Sequence, residues 1–443
     1  MEQSNSEFTN VIISKGSSPK ECVFDGIEKL GGITNYISDG DQVFIKFNLT
    51  LPQGFPANTN MDTLEAVIES CHNAGAKKIY VGSFPFKGIT IKAISDLLGL
   101  NSYFLKIGAE LVFLDYSNYY YLKNVKTKDL KIIKNQNFTK VNIKGKEFEV
   151  HKIILDSDKL ISVNQVSIDP IFKLRLSILN SYSLSINSSQ VNVIKSNNLK
   201  DLINNVLDVF TLRKPDLIFN DLFYILEGAG PYIYKDSNLK KTGLMVIGND
   251  AIAVDTITFN LLNYDLSQSL LLKEGVNRNL GISDNSKIKI IGENLNEIKI
   301  NIKECVSKLE DIHLPNFSIK TGNISLGDFE QAYHLLNLLK TNMIKDIKYI
   351  SKTSFLIGEN PPEPEVLDNV LIFGDSAIKS TKLKKNINTL KLPGNPPNVF
   401  DCIDLLIKFY GKSNVPTLYL FQNMVKSFKN KKINQKLKIW EGL

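Results

Sequence analysis

The sequence predicts an α/β protein: a mostly parallel sheet flanked by helices, with an inserted β-hairpin region and a smaller α/β domain toward the carboxyl end. Three observations predict it. Short strand-like runs such as QVFIKFN, KKIYVGS and ELVFLD alternate with helical stretches over the first 120 residues, the order that builds βαβ units. The 443 residues, 43% hydrophobic and 22% charged, supply apolar material for one large core or two domains. The alternation is interrupted by lysine-rich text between Asn118 and Leu155, and a separate run of short strands follows residue 327.

The elements follow in order. ECVFDGIEKLGG reads as a helix, and QVFIKFN as the strand after it. The next helix places Leu64, Val67, Ile68 and Cys71 on one face, with Asn60 or Asp62 as cap and Gly75 as stop. KKIYVGS, the helix IKAISDLLGL and ELVFLD continue the pattern. In the β insertion, about 118–155, KVNIKGKEFEVHKI reads as a hairpin turning at Lys144, Gly145 and Lys146. Regular text resumes with LISVNQVS, the helix NLKDLINNVLDVF, DLIFNDLF, GLMVIG, the helix AIAVDTITFNLL and KIKIIG, which completes a main domain over 1–300. Residues 301–326 read as a linker with His313 and Pro315. Residues 327–443 read as the smaller domain: a helix around DFEQAYHLLNLLKTNMI, strands TSFLIG and NVLIFG, and a helix VFDCIDLLIKFY with Asn398 as cap and Gly411 as stop.

Composition excludes several function classes. No run of roughly 18 apolar residues occurs, and the opening segment has no apolar stretch behind a basic start, so neither membrane spanning nor export is expected and the cytoplasm is the expected location. Cys22, Cys71, Cys305 and Cys402 have no CxxC spacing, which speaks against a disulfide framework, a zinc ribbon or a self-contained iron–sulfur motif. The four histidines form no HxH or HxxxH pair, so no metal site is expected. Only three of the 53 basic residues are arginines, and a net charge of +7 is thin over this length; a sequence-specific nucleic-acid reader is not expected. The tail from Lys426 to Lys438 is the most basic stretch, a solvated helix or frayed end, or a contact for RNA, an acidic protein partner or an anionic membrane.

Some residues stand out chemically. Alternation along QVFIKFN sends Lys46 and Asn48 to one face at a strand's carboxyl end, where open α/β sheets bind ligands, although a lysine is also at home at such a rim. The segment after Asp221 carries Glu227 and then Gly228, Gly230 and Pro231, either a loop that lets backbone approach a ligand or a plain tight turn. Asp250 precedes an apolar helical run and reads as its cap. Asp255 falls inside that run, so it is expected to be buried and to need a partner: Lys46, a metal or a structural hydrogen bond.

Four segments, in order, resemble the "domain of unknown function 362" family: VFIKFNLTLP, NTNMDTLEAVIESCHNAGAKKIYVGSFP, DLIFNDLFYILEGAGP and GNDAIAVDTITFNLL, together spanning about 41–262. The resemblance implies an α/β core whose ligand site is assembled from these segments. The family's "KTH" element and its alanine-leucine-lysine-asparagine element are not intact here. In VNQVSIDPIFKLRLSILNSYSL, Asn180 fits the final asparagine, Leu179 stands where the lysine would be, and Lys173 and Arg175 lie nearby. LPGNPP is similar to a GCPP loop that supplies a cluster thiolate in some iron–sulfur subunits, but Asn395 holds the thiol position and Ser376 stands in GDSAI, so no iron–sulfur cofactor is expected.

Two functional readings follow. In one, the chain is a catalytically degenerate ligand-binding or assembly subunit. In the other, it is a redox or cofactor-linked enzyme acting on a small acidic molecule. The enzyme reading places its site at the carboxyl edge of the main sheet, and the ligand-binding candidates, with a small-molecule anion as the expected ligand, are Lys46, Asn48, Asp221, Glu227, Gly228, Gly230, Pro231 and Asp255; the subunit reading keeps the fold, with or without that pocket, and works through the basic tail or an exposed apolar face.

Overall fold

The computed structural model describes residues 8–85, 89–115, 137–186, 195–347, 350–384 and 386–410. The basic tail, Gly411 and residues 118–136 of the expected insertion lie outside the described residues.

In chain order the elements are β1 (Thr9–Lys15), α1 (Pro19–Lys29), β2 (Gln42–Phe47), α2 (Met61–Asn73), β3 (Lys78–Ser83), α3 (Ile91–Leu98), α4 (Leu100–Lys106) and β4 (Glu110–Phe113). They continue with β5 (Phe138–Ile143), β6 (Lys146–His151), α5 (Lys152–Asp156), β7 (Lys159–Asp169), β8 (Lys173–Arg175), α6 (Ser177–Tyr182), β9 (Ser185–Ile186) and α7 (Leu199–Phe210). Next come β10 (Leu217–Gly228), β11 (Ser237–Lys241), β12 (Leu244–Gly248), α8 (Ala251–Leu261), α9 (Leu270–Asn277) and β13 (Ile288–Gly292). The last group is β14 (Phe317–Thr321), α10 (Leu326–Ile347), β15 (Thr353–Ile357), β16 (Asn369–Phe373), α11 (Asp375–Ser380), β17 (Thr389–Leu392) and α12 (Val399–Tyr410).

The main sheet runs β13-β1-β12-β10-β7-β2-β3-β4, with β11 and β8 as antiparallel additions to β10 and β7. On that path only β12 runs against its neighbours. The smaller second sheet, β14-β15-β16-β17, is parallel throughout. The fold is therefore α/β with a mostly parallel central sheet. Six strands had no sequence signal strong enough to single them out: β1, β8, β9, β11, β14 and β17. β14 lies within the stretch expected to be a linker, and its FSIKT is too polar to announce a buried strand.

Local chemistry explains the rest. The side chain of Asn60 accepts from Asp62 N and caps α2, and Gly75 ends that helix at φ +85°. The β5–β6 hairpin turns on Lys144 at φ 51° and Gly145 at φ 79°, both positive as a two-residue primed turn requires. Alternation on β2 holds: Val43, Ile45 and Phe47 join one apolar cluster and Phe44 another. The first of these clusters also contains Tyr232, Tyr234, Tyr333 and Phe355, so the two sheets share a core. Among the described residues no helix is long and apolar enough to cross a membrane.

Candidate functional site

β2 and β7 pair in parallel with Lys46 opposite Ser162, and β7 and β10 pair with Asn164 opposite Asn220. Side chains of one strand face repeat every second residue, so these registers carry a row of polar groups across one face of the main sheet. The row is joined by hydrogen bonds. Asn180 Nδ2 donates to Ser162 Oγ at 2.9 Å, Asn164 Nδ2 to Asn220 Oδ1 at 3.2 Å, and Asn220 Nδ2 to Asp255 Oδ1 at 2.9 Å.

α6 holds this row together although it has only six residues. Asp255, reaching from α8, sits at its amino end and accepts from Ser177 N at 3.0 Å, Ser177 Oγ at 2.7 Å and Ile178 N at 3.1 Å. One turn later Asn180 Oδ1 accepts from Lys46 Nζ at 2.9 Å and from Asn48 Nδ2 at 3.0 Å. Lys46 and Asp255 thus fix the same short helix at different points, and Asp255 is satisfied by the helix instead of by the lysine. Burial pushes the Asp255 carboxyl up to about 6, against the pull of its donors.

Beyond the carboxyl ends of β2, β3 and β7 lies a cleft of about 280 Å³. Lys46, Asn48, Asn180, Arg175, Tyr232 and Glu330 supply its main polar groups, and Phe172, Leu179, Leu202 and Leu326 form an apolar wall. Lys46 is 2% exposed. Its ammonium donates to Phe47 O at 2.7 Å and to Asn180, both neutral acceptors, and burial lowers its pKa to about 7. Arg175 is placed differently. Its Nε donates to Asp169 Oδ2 at 2.7 Å, and its Nη2 reaches Glu330 of α10 at 3.4 Å. Asp169 also accepts from Ile171 N and Phe172 N, both at 2.8 Å, which fixes the turn between β7 and β8.

Of the residues that the sequence singled out, Lys46 and Asn48 line this cleft. Asp255 stands behind α6. Asp221 is on the opposite face, because it follows Asn220 by one residue; its Oδ2 accepts from Thr63 Oγ1 of α2 at 2.6 Å and its Oδ1 from Phe223 N at 2.9 Å. Glu227 accepts from Lys303 N at 3.1 Å beside the β10–β11 pair. Gly228, at φ +87°, donates from its N to Lys303 O at 2.8 Å. A Cβ on Gly228 would meet Asp236 O at 2.4 Å, and one on Gly230 would meet Ile168 Cγ1 at 2.4 Å and O at 2.8 Å. These glycines serve close strand packing, and the Gly228–Pro231 bend reaches the cleft only through the following Tyr232.

Asn164, Asn220, Asp169 and Glu330 carried no motif in the sequence. Phasing DLIFNDLF and LISVNQVS against QVFIKFN would have pointed to Asn164 and Asn220; nothing local announces Glu330, which comes from the second sheet's leading helix. Ser376 and Asn395, where thiols were sought, line a separate recess of about 200 Å³ with Asp328 and Glu359. Among the described residues no three His, Cys, Asp or Glu side chains gather as a metal site would need.

Residues 43–260 match the family described as "Domain of unknown function (DUF362)". No curated protein matches the chain. The matched stretch runs from β2 through α8 and contains Lys46, Asn48, Asn180, Asn220 and Asp255, the residues that build the polar row and its helix. On that match the chain belongs to the DUF362 domain-containing proteins.

Proposed function

We propose that this chain is a ligand-binding member of its family, catalytically reduced, which holds a small anion in the cleft beside Lys46. The observation that carries this reading is the lysine itself. Taking an ammonium out of water costs several kcal/mol unless opposite charge or hydrogen bonds compensate it. Lys46 has two neutral acceptors, and no carboxylate among the described residues pairs with it. An anion in the cleft supplies the missing charge. Leu179 lines the same cleft at the place where the resemblance led one to look for a second lysine, which supports binding over chemistry.

Isothermal titration with acetate and inorganic phosphate, at a pH where Lys46 is protonated, tests the reading. Saturable binding of at least one anion is expected, with Lys46→Met lowering the affinity at least tenfold. Equal affinity in the variant would refute it.

The second reading, an enzyme on a small acidic molecule, draws on a different feature. An amine brought to about pH 7 by burial exchanges its proton in the neutral range, as a general base requires. Its test is whether a bound acid bearing an acidic C–H exchanges that hydrogen with deuterated solvent in the intact protein and not in Lys46→Met.

A further inference from the structure

Building on the anion-binding reading, we infer that the cleft takes a monocarboxylate with an apolar body, in preference to a phosphate or a dicarboxylate. Charge is the first argument. Among the described residues the cleft holds two cations, and Arg175 already faces two carboxylates, Asp169 at 2.7 Å and Glu330 at 3.4 Å. Only the Lys46 ammonium is left without a carboxylate among the described residues, so it can pair with one carboxylate of a ligand, while the two carboxylates around Arg175 exceed its charge by one. A dianion would leave its second charge facing Asp169 and Glu330, where repulsion in a partly buried space is strong.

The lining is the second argument. The groups around Lys46, namely Asn48, Asn180 and Ser83, gather where β2 and β3 end. Across from them Phe172, Leu179, Leu202 and Leu326 come from β8's turn, α6, α7 and α10 and present hydrocarbon to the same space. A volume of about 280 Å³ is roughly nine water volumes, more than a carboxylate alone fills. Water held against such a wall is displaced favourably by apolar groups, so the ligand's body adds affinity and its head fixes orientation.

The test is a titration series on the full chain: acetate, butyrate, hexanoate, succinate and inorganic phosphate, below the pH at which Lys46 loses its proton. Affinity is expected to rise roughly fourfold per added methylene until the cleft is full, with phosphate and succinate binding no better than acetate. Leu179→Asn is expected to flatten the chain-length dependence, and Lys46→Met to weaken every acid by a common factor. Should Lys46→Met not fold, raising the pH well above the lysine's titration replaces it, with the same uniform loss expected. Phosphate or succinate binding more tightly than hexanoate, or a flat series, overturns the inference and leaves the anion-binding reading in place. If none of the five anions binds, that reading falls and this inference falls with it.

Discussion

Lys46 shows how much a single side chain's surroundings decide. Its position at the end of QVFIKFN was readable from alternation, but its loss of solvent was not, because that depends on α6 lying across it. Burial lowers its pKa from 10.5 to about 7. Between those values the unfolded chain binds a proton that the folded chain does not, so this residue makes stability rise with pH across that window. Urea denaturation of the native protein and of Lys46→Met should show it: the variant's stability is expected to rise less steeply from pH 7 to pH 10.5, and parallel curves would refute the assignment. Two buried aspartates make a contrasting pair. Asp255 receives four donors, three of them on Ser177 and Ile178, whereas Asp221 receives two. An amide has one accepting oxygen, so Asp255→Asn strands donors at about 1–3 kcal/mol each, while Asp221→Asn can keep both contacts. Thermal melts should therefore show Asp255→Asn losing several kcal/mol and Asp221→Asn about 1 kcal/mol or less; the reverse order would sink the argument. Both carboxyls are pushed up to about 6 from 3.8, so the stability that each contributes is full below pH 3.8 and is lost as pH rises through 6.

At the level of elements, α6 and the bend after β10 carry the site. α6 is too short to be stable alone, and Asp255 at one end with Lys46 and Asn48 at the other hold it in place. The Gly228–Pro231 bend looked in sequence as much like a ligand loop as a turn. The space around Gly230 decides between these: a methyl group there meets the Ile168 carbonyl at 2.8 Å. Gly230→Ala is therefore expected to lower stability by about 1–3 kcal/mol and to disturb the cleft through Tyr232. Calorimetry checks the first effect and loss of anion affinity the second; an unchanged melting temperature would show that the bend yields easily. Helices α1, α2, α7, α8, α10 and α12, the β5–β6 hairpin and α2's Asn60 cap were legible because capping residues, glycines and apolar spacing are local signals, whereas α5, α9 and α11 were not. β1 was not, since NVIIS is a short apolar run without the flanking alternation that identified its neighbours.

At the scale of the molecule, α10 ties the second sheet to the first. It brings Glu330 to Arg175, and its His334 Nδ1 shares a hydrogen bond with the buried Tyr234 hydroxyl at 2.6 Å. Burial holds His334 well below the usual imidazole range, which favours its neutral form. The segment that carries Tyr232 and Tyr234 belongs to the main sheet's side of this contact, and both rings pack against His334. Tyr234→Phe removes this hydrogen bond between two buried groups and is expected to cost about 1–3 kcal/mol. Because the two sheets share a core, that loss should appear as one cooperative transition moved to lower denaturant. Two separated transitions in the native protein would mean that the sheets unfold independently.

The sequence by itself determined the α/β class, the order of most of the main sheet's strands and longer helices, the family and the place of Lys46 and Asn48 at a strand end, because strand and helix periodicities and caps are written in neighbouring residues. Only the tertiary structure decided which polar residues meet. It put Asn220 and not Asp221 on the cleft side, gave Asp255 to a helix end, and brought in Asp169, Arg175 and Glu330. The reason is physical: which face a strand turns toward the cleft, and which distant helix closes over it, follow from inter-strand register and packing between segments far apart in the chain, such as Arg175 and Glu330, and no local signal encodes either.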